Sequence, residues 1–372
     1  AKRKNRLADK FMKRLGISIY PEHSTLEKDL AYIELAGKYG FKRIFSCLLS
    51  VDKPKEEIKK EFTALLDKAH EYGMEVIFDV SPAVFQKLGL TTDDLSFFED
   101  IHADGIRLDE AFDGMKEAAM TYNPQNLIVE LNASAPNKGL ENICSYHPKM
   151  SKLQTCHNFY PQRYTGLGYD FFKTLSQNIH SLHLPVAAFV SSQQPDTFGP
   201  WPVNEGLCTL EMHRDLPAET AARHLFATGL VDDVLVANCY ASEEELAALA
   251  ALDPEVLTFK IELEKELQPV ESEILYNFPH VVRGDMSEFM ARSSMPRVVF
   301  ANESIPAENT RDLKRGDVII VNDGYGRYKG ELHLVLKDMP NDGRKNVLGH
   351  IPEQEFMLLD FIEPNVPFKF IP

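Results

Sequence analysis

The chain has 372 residues, of which 44% are hydrophobic and 26% charged, and this globular balance argues against a disordered, collagenous or coiled-coil protein. The net charge of −16, from 40 basic and 56 acidic residues, disfavours nucleic acid and anionic membrane surfaces as partners. A small anionic substrate is still compatible with this charge, because a local group of arginines can outweigh the mean field.

The first two-thirds of the chain alternates short apolar runs with amphipathic stretches. Eight runs predict strands, at 16–21, 42–50, 75–81, 105–110, 127–133, 153–160, 185–191 and 233–239. After the first strand, residues 24–27 (Ser-Thr-Leu-Glu) predict a helix capping box, and Gly73 and Gly229 predict the ends of two later helices. This repeat predicts a (β/α)8 barrel rather than an open doubly wound sheet, whose first turn would often carry a GxGxxG pattern that is missing here.

A different pattern begins near Asp253 and Pro254. Helical spacing gives way to alternation at Phe259, Ile261 and Leu263, and apolar runs follow at 297–305, 316–323, 331–338 and 356–364. Turn clusters separate these runs, for instance the Asn-Asp-Gly sequences at 322–324 and 341–343. The sequence therefore predicts two domains, a barrel over 1–253 and a small all-β barrel over 254–372.

The cysteines and the N-terminal residues bear on the compartment. The five cysteines are widely spaced, odd in number and without a CxxC pair, a pattern that favours reduced thiols over disulfides or a zinc site. The basic N-terminus has no apolar stretch or cleavage site typical of a signal peptide, and no apolar run reaches the ~18 residues of a membrane span. We therefore expect a cytoplasmic protein without a membrane partner.

A β/α barrel holds its active site at the carboxyl ends of its strands, so the polar residues there are the candidates. No strand ends in the lysine that Schiff-base chemistry needs, and neither HExxH nor a His-x-His after the first strand occurs, so no metal site is predicted. The remaining carboxylates, amides, aromatics and arginines are typical of sugar binding and glycosidic cleavage. They are Glu22, Asp79, Arg107, Asp109, Glu110, Glu130, Asn132, His157, Asn158, Tyr160, Arg163, Glu211, His213, Arg214 and Asn238.

The adjacent pair Asp109 and Glu110 is the most specific feature among these residues. At the end of a strand the backbone turns, so both side chains can reach the active-site face, and two carboxyl groups in unlike environments can act as acid and as ionised stabiliser. Arg107, two residues earlier, supports this interpretation. The alternative is a solvated helix N-terminus, where acidic residues are common.

Other candidates have two interpretations each. Residues 211–214 (Glu-Met-His-Arg) indicate either an anion site near strands seven and eight or an ordinary surface Glu–Arg pair, and Arg163 has the same two interpretations. His157 is expected to orient neighbours by hydrogen bonds, because no second ligand lies at metal-binding spacing. Trp201, the only tryptophan, is either a sugar-stacking platform or a packed loop residue.

Four barrel segments carry a resemblance to a known family. GISIYPE, ADGIRLDEAFDG, CHNFYPQRYTGL and TLEMHR resemble the MupG-type 6-phospho-N-acetylmuramidases, and MARSSMPRVVF and NDGYGRYKGELHLVL resemble the cyclophilin-like C-terminal domain of that family. The resemblance implies a cytoplasmic hydrolase of peptidoglycan recycling. Such an enzyme splits the phosphodisaccharide MurNAc-6-phosphate–GlcNAc into MurNAc-6-phosphate and GlcNAc and uses no cofactor.

Position and chemistry then assign roles for this reaction. Glu110 is predicted to be the general acid, and Asp109 to orient the 2-acetamido group of the substrate, which attacks the anomeric carbon. A competing scheme takes Asp79, Glu130 or Glu211 as nucleophile or base. Two rival functions are a phosphosugar-binding barrel without catalysis and a phosphosugar isomerase.

The phosphate and the lactyl carboxylate of this substrate need cationic donors. The candidates are Arg107, Arg163, Arg214 and, in the second domain, Arg327. Arg327 belongs to a polar group that either contributes to the site or is a solvated hairpin; its other members are Asn322, Tyr325, Tyr328 and Glu331.

Overall fold

A computed structural model describes residues 12–48, 53–109 and 112–372 of the chain. The chain divides into two compact units, with the boundary between Leu252 and Asp253. No helix of the described residues has the length and apolar content to cross a membrane.

The first unit is a closed barrel of eight parallel strands, which confirms the predicted (β/α)8 architecture. Each strand pairs with the next one along the chain, and β1 closes the barrel on β8. The strands are β1 Arg14–Ile19, β2 Arg43–Leu48, β3 Glu75–Val80, β4 Gly105–Leu108, β5 Ile128–Asn132, β6 Leu153–Cys156, β7 Val186–Val190 and β8 Asp233–Val236. Most end earlier than the sequence predicts; β6 ends at Cys156, so the polar residues 157–160 lie in the loop that follows it.

Helices separate the strands and end largely as the sequence predicts. Their bounds are Leu26–Lys38, Lys55–Glu71, Pro82–Lys87, Ser96–Asp100, Met115–Met120, Gly139–Ser145, Tyr169–Ser181, Ala218–Ala227 and Glu243–Ala250, with 3-10 turns at Pro21–His23, Met150–Lys152 and Glu211–His213. Gly73 and Gly229 follow two of the helices at φ +68° and +67°, a left-handed conformation that suits glycine. The predicted capping box is wrong: Thr25 caps the first helix, while the Ser24 hydroxyl donates to Asp29 at 2.6 Å.

The barrel interior combines an apolar cluster with a buried ion cluster. The apolar cluster in the interior of the barrel includes Phe45, Phe189 and Leu235. Near the amino ends, the Arg43 guanidinium, 1% exposed, donates to the Glu130 carboxylate and, at 2.9 Å, to Asp233. Glu130 is wholly buried and also accepts a hydrogen bond from Gln154, so its environment is that of a structural counter-charge and not of a nucleophile.

Glu130→Gln is expected to destabilise the barrel by about 3 kcal/mol, the lower end of the range for a broken buried ion pair. We expect a free-energy change at the lower end of this range because Asp233 still pairs with Arg43 in the variant. Urea unfolding measures it, with Glu34→Gln as the control, since Glu34 pairs with Lys38 on an exposed helix face. Unchanged stability together with lost turnover would return Glu130 to the catalytic candidates.

The second unit consists of two sheets. The five-stranded sheet has the order β10-β15-β13-β14-β12, and the three-stranded sheet has the order β11-β16-β9. The strands are β9 Leu257–Lys260, β10 Glu262–Leu263, β11 His280–Val281, β12 Met290–Ser293, β13 Asp317–Val321, β14 Leu332–Val335, β15 Lys345–His350 and β16 Pro367–Ile371. Short helices occur at Pro269–Ser272, Glu273–Asn277, Pro296–Val299, Asp323–Tyr328 and Glu353–Phe361.

Two of the apolar runs predicted as strands in this unit are helical or irregular. Residues 297–305 begin within the helix Pro296–Val299, which has a proline at its start, and continue into a turn. Residues 356–364 lie mostly in the 3-10 helix Glu353–Phe361. A short apolar run does not by itself distinguish a buried strand from a buried helical turn.

Candidate active site

The guanidinium of Arg107 is the centre of a polar group at the carboxyl ends of β3 to β6. Its Nη1 donates to Asp79 at 3.1 Å and to Asp109 at 3.3 Å, and its Nη2 donates to the Asn158 Oδ1 at 2.5 Å. Asp79 and Arg107 are partners in the pairing of β3 with β4. Parallel pairing therefore brings together residues that the sequence separates by up to 79 positions, counted from Asp79 to Asn158.

The two carboxyl groups on Arg107 have unlike environments. The side chain of Asp79 is 15% exposed, whereas that of Asp109, just beyond β4, is 52% exposed. Burial raises the pKa of Asp79 to about 6, although the adjacent Arg107 charge opposes this shift. Asp109 is thus the carboxyl group within reach of a ligand, and Asp79 is a buried partner that can hold a proton near neutral pH.

A hydrogen-bond chain fixes the loops after β5 and β6. Asn132 Oδ1 accepts from the Ser134 amide at 2.7 Å, and the Ser134 hydroxyl contacts His157 Nδ1 at 3.0 Å and accepts from the Asn158 amide. His157 is fully buried, its Nε2 contacts the Ser176 hydroxyl, and burial lowers its pKa to about 3. A neutral, doubly hydrogen-bonded imidazole therefore positions Asn158 for Arg107. Ser134 was not a candidate from the sequence, since only the folded loops bring it to His157.

Glu211 and Arg214 form a second polar group, which is hydrogen-bonded to the loop after β6 and holds it in place. Arg214 is 2% exposed; it donates to the Glu211 carboxylate at 2.9 and 2.5 Å and to the Tyr160 carbonyl at 2.7 Å. Glu211 also accepts from the Tyr164 amide at 2.5 Å and the Gly166 amide at 2.8 Å. The contact with Arg214 lowers the pKa of Glu211 to about 2. The sequence allowed an anion site or catalytic role here, but these side chains are engaged with the protein itself.

A polar cup of 360 Å³ lies at the carboxyl ends of β7 and β8. Arg163 pairs there with Asp215 at 2.7 and 3.0 Å, and Asn238, fully buried, bonds to the Ser192 backbone and the Thr197 hydroxyl. Its lining residues are Arg163, Ser191, Ser192, Gln193, Gln194, Asp196, Thr197, Asn204, Glu205, Gly206, Arg214, Asp215 and Asn238. The cup is lined by three carboxylates and by two arginines that are already paired with carboxylates of the protein. This excess of negative charge disfavours a phosphate, whereas the polar side chains can form hydrogen bonds with neutral hydroxyl groups.

The other candidates lie apart from Arg107. Glu22 is exposed and lines a separate cavity of 370 Å³ after β1, with Lys53 and Glu61 among its neighbours. Buried His213 pairs with His224 at 2.7 Å, and burial lowers the pKa of both. Tyr160 is partly buried in the loop after β6, and Trp201 is half-exposed in the loop after β7. Arg327 is exposed in the second unit.

Glu110 lies outside the described residues. Within the described ranges, no group of three or more histidine, cysteine and acidic side chains is arranged to hold a metal ion.

Comparison with known proteins covers nearly the whole chain. A family model described as 6-phospho-N-acetylmuramidase, N-terminal, matches residues 15–251, and one described as 6-phospho-N-acetylmuramidase, C-terminal, matches 257–371. An uncharacterized B. cereus protein of solved structure is 46% identical with a TM-score of 0.90, covering 97% of this chain and 100% of its own. A conserved Enterococcus faecalis protein of unknown function is 25% identical with a TM-score of 0.71, covering 96% of both chains. No curated protein matches the chain.

Proposed function

We propose that this chain, which belongs to the 6-phospho-N-acetylmuramidase family, is a glycosidase that hydrolyses the bond between MurNAc-6-phosphate and GlcNAc. The products are MurNAc-6-phosphate and GlcNAc, and the reaction belongs to cytoplasmic peptidoglycan recycling. The family match supports the substrate class, and the residues at the carboxyl ends of the barrel strands support the chemistry.

The observation that carries this proposal is the sharing of Arg107 by Asp79 and Asp109. Both carboxyl groups accept from one guanidinium nitrogen, one of them buried with a raised pKa and the other half-exposed. Glycosidic cleavage passes through an oxocarbenium-like transition state, which needs an anionic or dipolar stabiliser and a proton donor. Arg107 keeps the carboxylate of Asp109 at a fixed position where it can serve as that stabiliser.

In the mechanism that we propose, Asp109 orients the 2-acetamido group of the N-acetylmuramic acid ring. The acetamide oxygen attacks the anomeric carbon as the glycosidic oxygen accepts a proton, and water then opens the cyclic intermediate. Glu110 follows Asp109 in the sequence and is our candidate for the proton donor. Asp79 and Asn158 hold Arg107 from two sides and act as positioning residues.

The polar cup after β7 and β8 is our candidate for the GlcNAc ring. GlcNAc has no charge and presents hydroxyl groups and an amide, which match the serine, threonine, amide and carboxylate side chains of the cup. The volume of 360 Å³ is within the range of small-molecule pockets. This assignment replaces the phosphate that the sequence allowed near these strands, because the cup carries more carboxylates than arginines.

The test is product analysis on MurNAc-6-phosphate–GlcNAc with the full chain. We expect release of GlcNAc and MurNAc-6-phosphate, loss of release in Asp109→Asn, and full release in Asp67→Asn. Asp67 is a suitable control because it is an exposed aspartate paired with His102 on an outer helix. Binding of the disaccharide without any release would indicate a binding protein, and a rearranged sugar without free GlcNAc would indicate an isomerase.

A further inference from the structure

The second unit contains a group of arginines that the barrel chemistry does not use. We call it the arginine–tyrosine cluster; its members are Arg292, Arg297, Arg327, Tyr328 and Glu331. Arg292 lies on β12, Arg297 on the helix Pro296–Val299, and Arg327 and Tyr328 in the 3-10 segment Asp323–Tyr328. Glu331 directly precedes β14. Antiparallel pairing of β12 with β14 places Arg292 opposite His333 and so beside Glu331.

The contacts in the cluster give it a defined shape. The Glu331 carboxylate, 1% exposed, accepts from Arg292 at 3.0 and 2.7 Å and from Arg297 at 2.6 Å. The guanidinium carbons of Arg292, Arg297 and Arg327 lie 5.9, 5.5 and 5.5 Å from the centre of the Tyr328 ring. Three guanidinium groups therefore surround one ring that is 37% exposed. A buried carboxylate holds two of them in place.

The charges in the cluster do not balance. Arg292 and Arg297 share the single carboxylate of Glu331, and Arg327 has no ion pair among the described residues, so the members of the cluster carry a net charge of +2 in a chain whose net charge is −16. Asp285, which also lies near Arg292, is paired with Arg283. The neighbouring pair of Arg344 with Asp342 is already neutralised. A phosphate monoester carries a charge of roughly −1.5 to −2 at pH 7, so it would compensate this excess. Arginine is also the side chain that binds phosphate with two parallel hydrogen bonds.

His333 lies beside the cluster and has one ring nitrogen without a hydrogen-bond partner in the part of the chain that the structure describes. His333 is 5% exposed, its Nε2 contacts Glu331 at 2.8 Å, and its buried Nδ1 has no hydrogen-bond partner among the described residues. Buried polar groups without a partner are uncommon in folded proteins, so this one needs an explanation.

We propose that the arginine–tyrosine cluster recognises the phosphate monoester of a sugar phosphate, with the sugar ring against the exposed part of Tyr328. The identity of the sugar, MurNAc-6-phosphate, rests on the proposed function; the phosphate recognition rests on the cluster alone. The aromatic ring suits the apolar face of a pyranose, and the guanidinium groups around it suit the phosphate. The second unit then contains a binding site for a sugar phosphate.

The test is calorimetric binding of MurNAc-6-phosphate to the full chain, with unphosphorylated MurNAc and inorganic phosphate as comparisons. Arg327→Ala is the variant, because Arg327 has no ion pair with a carboxylate among the described residues and its loss leaves Glu331 paired. Arg315→Ala is the matched control, since Arg315 is a similarly exposed arginine that lies 6.0 Å from the Phe356 ring in the same unit. We expect Arg327→Ala to weaken binding of the sugar phosphate about tenfold and Arg315→Ala to leave it unchanged.

Hydrogen–deuterium exchange supplies a second measurement that needs no variant. Bound MurNAc-6-phosphate is expected to slow exchange in residues 323–331 and 290–299. Equal affinity in the Arg327→Ala and Arg315→Ala variants, or slowed exchange confined to other segments, would overturn the proposal. If the disaccharide is hydrolysed but the cluster does not bind MurNAc-6-phosphate, the proposed function stands and phosphate recognition by the cluster is refuted. If the cluster binds MurNAc-6-phosphate but the disaccharide is not hydrolysed, the proposed function is refuted and phosphate recognition stands.

Discussion

Removal of the 6-phosphate from the disaccharide is expected to lower kcat/KM about 10⁴-fold. A site built for a charged group discriminates strongly against a substrate that lacks it, because its cationic donors then lose the partner that they bind in the complex. The measurement compares kcat/KM for MurNAc-6-phosphate–GlcNAc and for the unphosphorylated disaccharide. Near-equal values would contradict both the phosphosugar specificity and the place of this chain in recycling of a phosphorylated sugar.

The variant Arg214→Ala tests whether Arg214 contributes to this discrimination. Arg214→Ala should slow both substrates by a similar factor, because the guanidinium of Arg214 is engaged with Glu211 and backbone carbonyls and its loss loosens the loop after β6. If Arg214→Ala lowered kcat/KM for the phosphorylated substrate only, Arg214 would have to leave Glu211 and bind the phosphate. The anion site near β7 and β8 would then be supported again.

The barrel could be predicted because its strands are local features of the sequence. Each apolar run and each helical stretch is a contiguous pattern, and their regular alternation leaves few other architectures. The ends of the strands were predicted less accurately: the sequence places the end of β6 at residue 160, whereas β6 ends at Cys156 and a loop follows. In the second unit the runs at 297–305 and 356–364 were misassigned, because local apolar content does not show which strand a segment could pair with.

The candidate site could be predicted only in part, because burial and pairing decide what a polar residue does. The sequence gives no sign that Asp79 contacts Arg107, which follows from the register of β3 and β4. Glu211 and Arg214 are three positions apart in the chain, a spacing shared by surface pairs and binding sites. In the structure, both side chains form hydrogen bonds with the backbone of the loop at 160–166, which lies about 50 positions away in the sequence. The contact of Arg292 with Glu331 spans 39 positions and has no local signal.

Glu110 is the proposed proton donor for the glycosidic oxygen. Glu110→Gln should lower turnover of the disaccharide by ~10²–10⁴-fold, the usual range for loss of general acid catalysis. The loss should shrink for a nitrophenyl glycoside of MurNAc-6-phosphate, because a nitrophenolate leaves without protonation. Asp109→Asn should be impaired on both substrates, since the orientation of the acetamide does not depend on the leaving group.

Asp79 provides the control for that assignment. As a positioning residue for Arg107, its change to asparagine should slow both leaving groups by a similar factor. An acid role for Asp79 predicts differently: with a pKa of about 6, its protonated form and the activity would be lost as pH rises through about 6. The dependence on the leaving group would then appear in Asp79→Asn and not in Glu110→Gln, and the pH–rate profile would identify Asp79 as the donor.

Inhibition by a thiazoline derived from the acetamido sugar distinguishes the assisted mechanism from a covalent one. Such a compound resembles the cyclic intermediate, so it should bind far more tightly than the product, and Asp109→Asn should weaken that binding because Asp109 contacts the ring nitrogen in our scheme. The competing scheme requires a glycosyl ester on Asp79, Glu130 or Glu211. Glu130 and Glu211 are each held by an arginine and further hydrogen bonds, so an ester there would first require those contacts to break. Weak thiazoline inhibition with a trapped ester on one of the three would refute the assisted mechanism and retain the glycosidase.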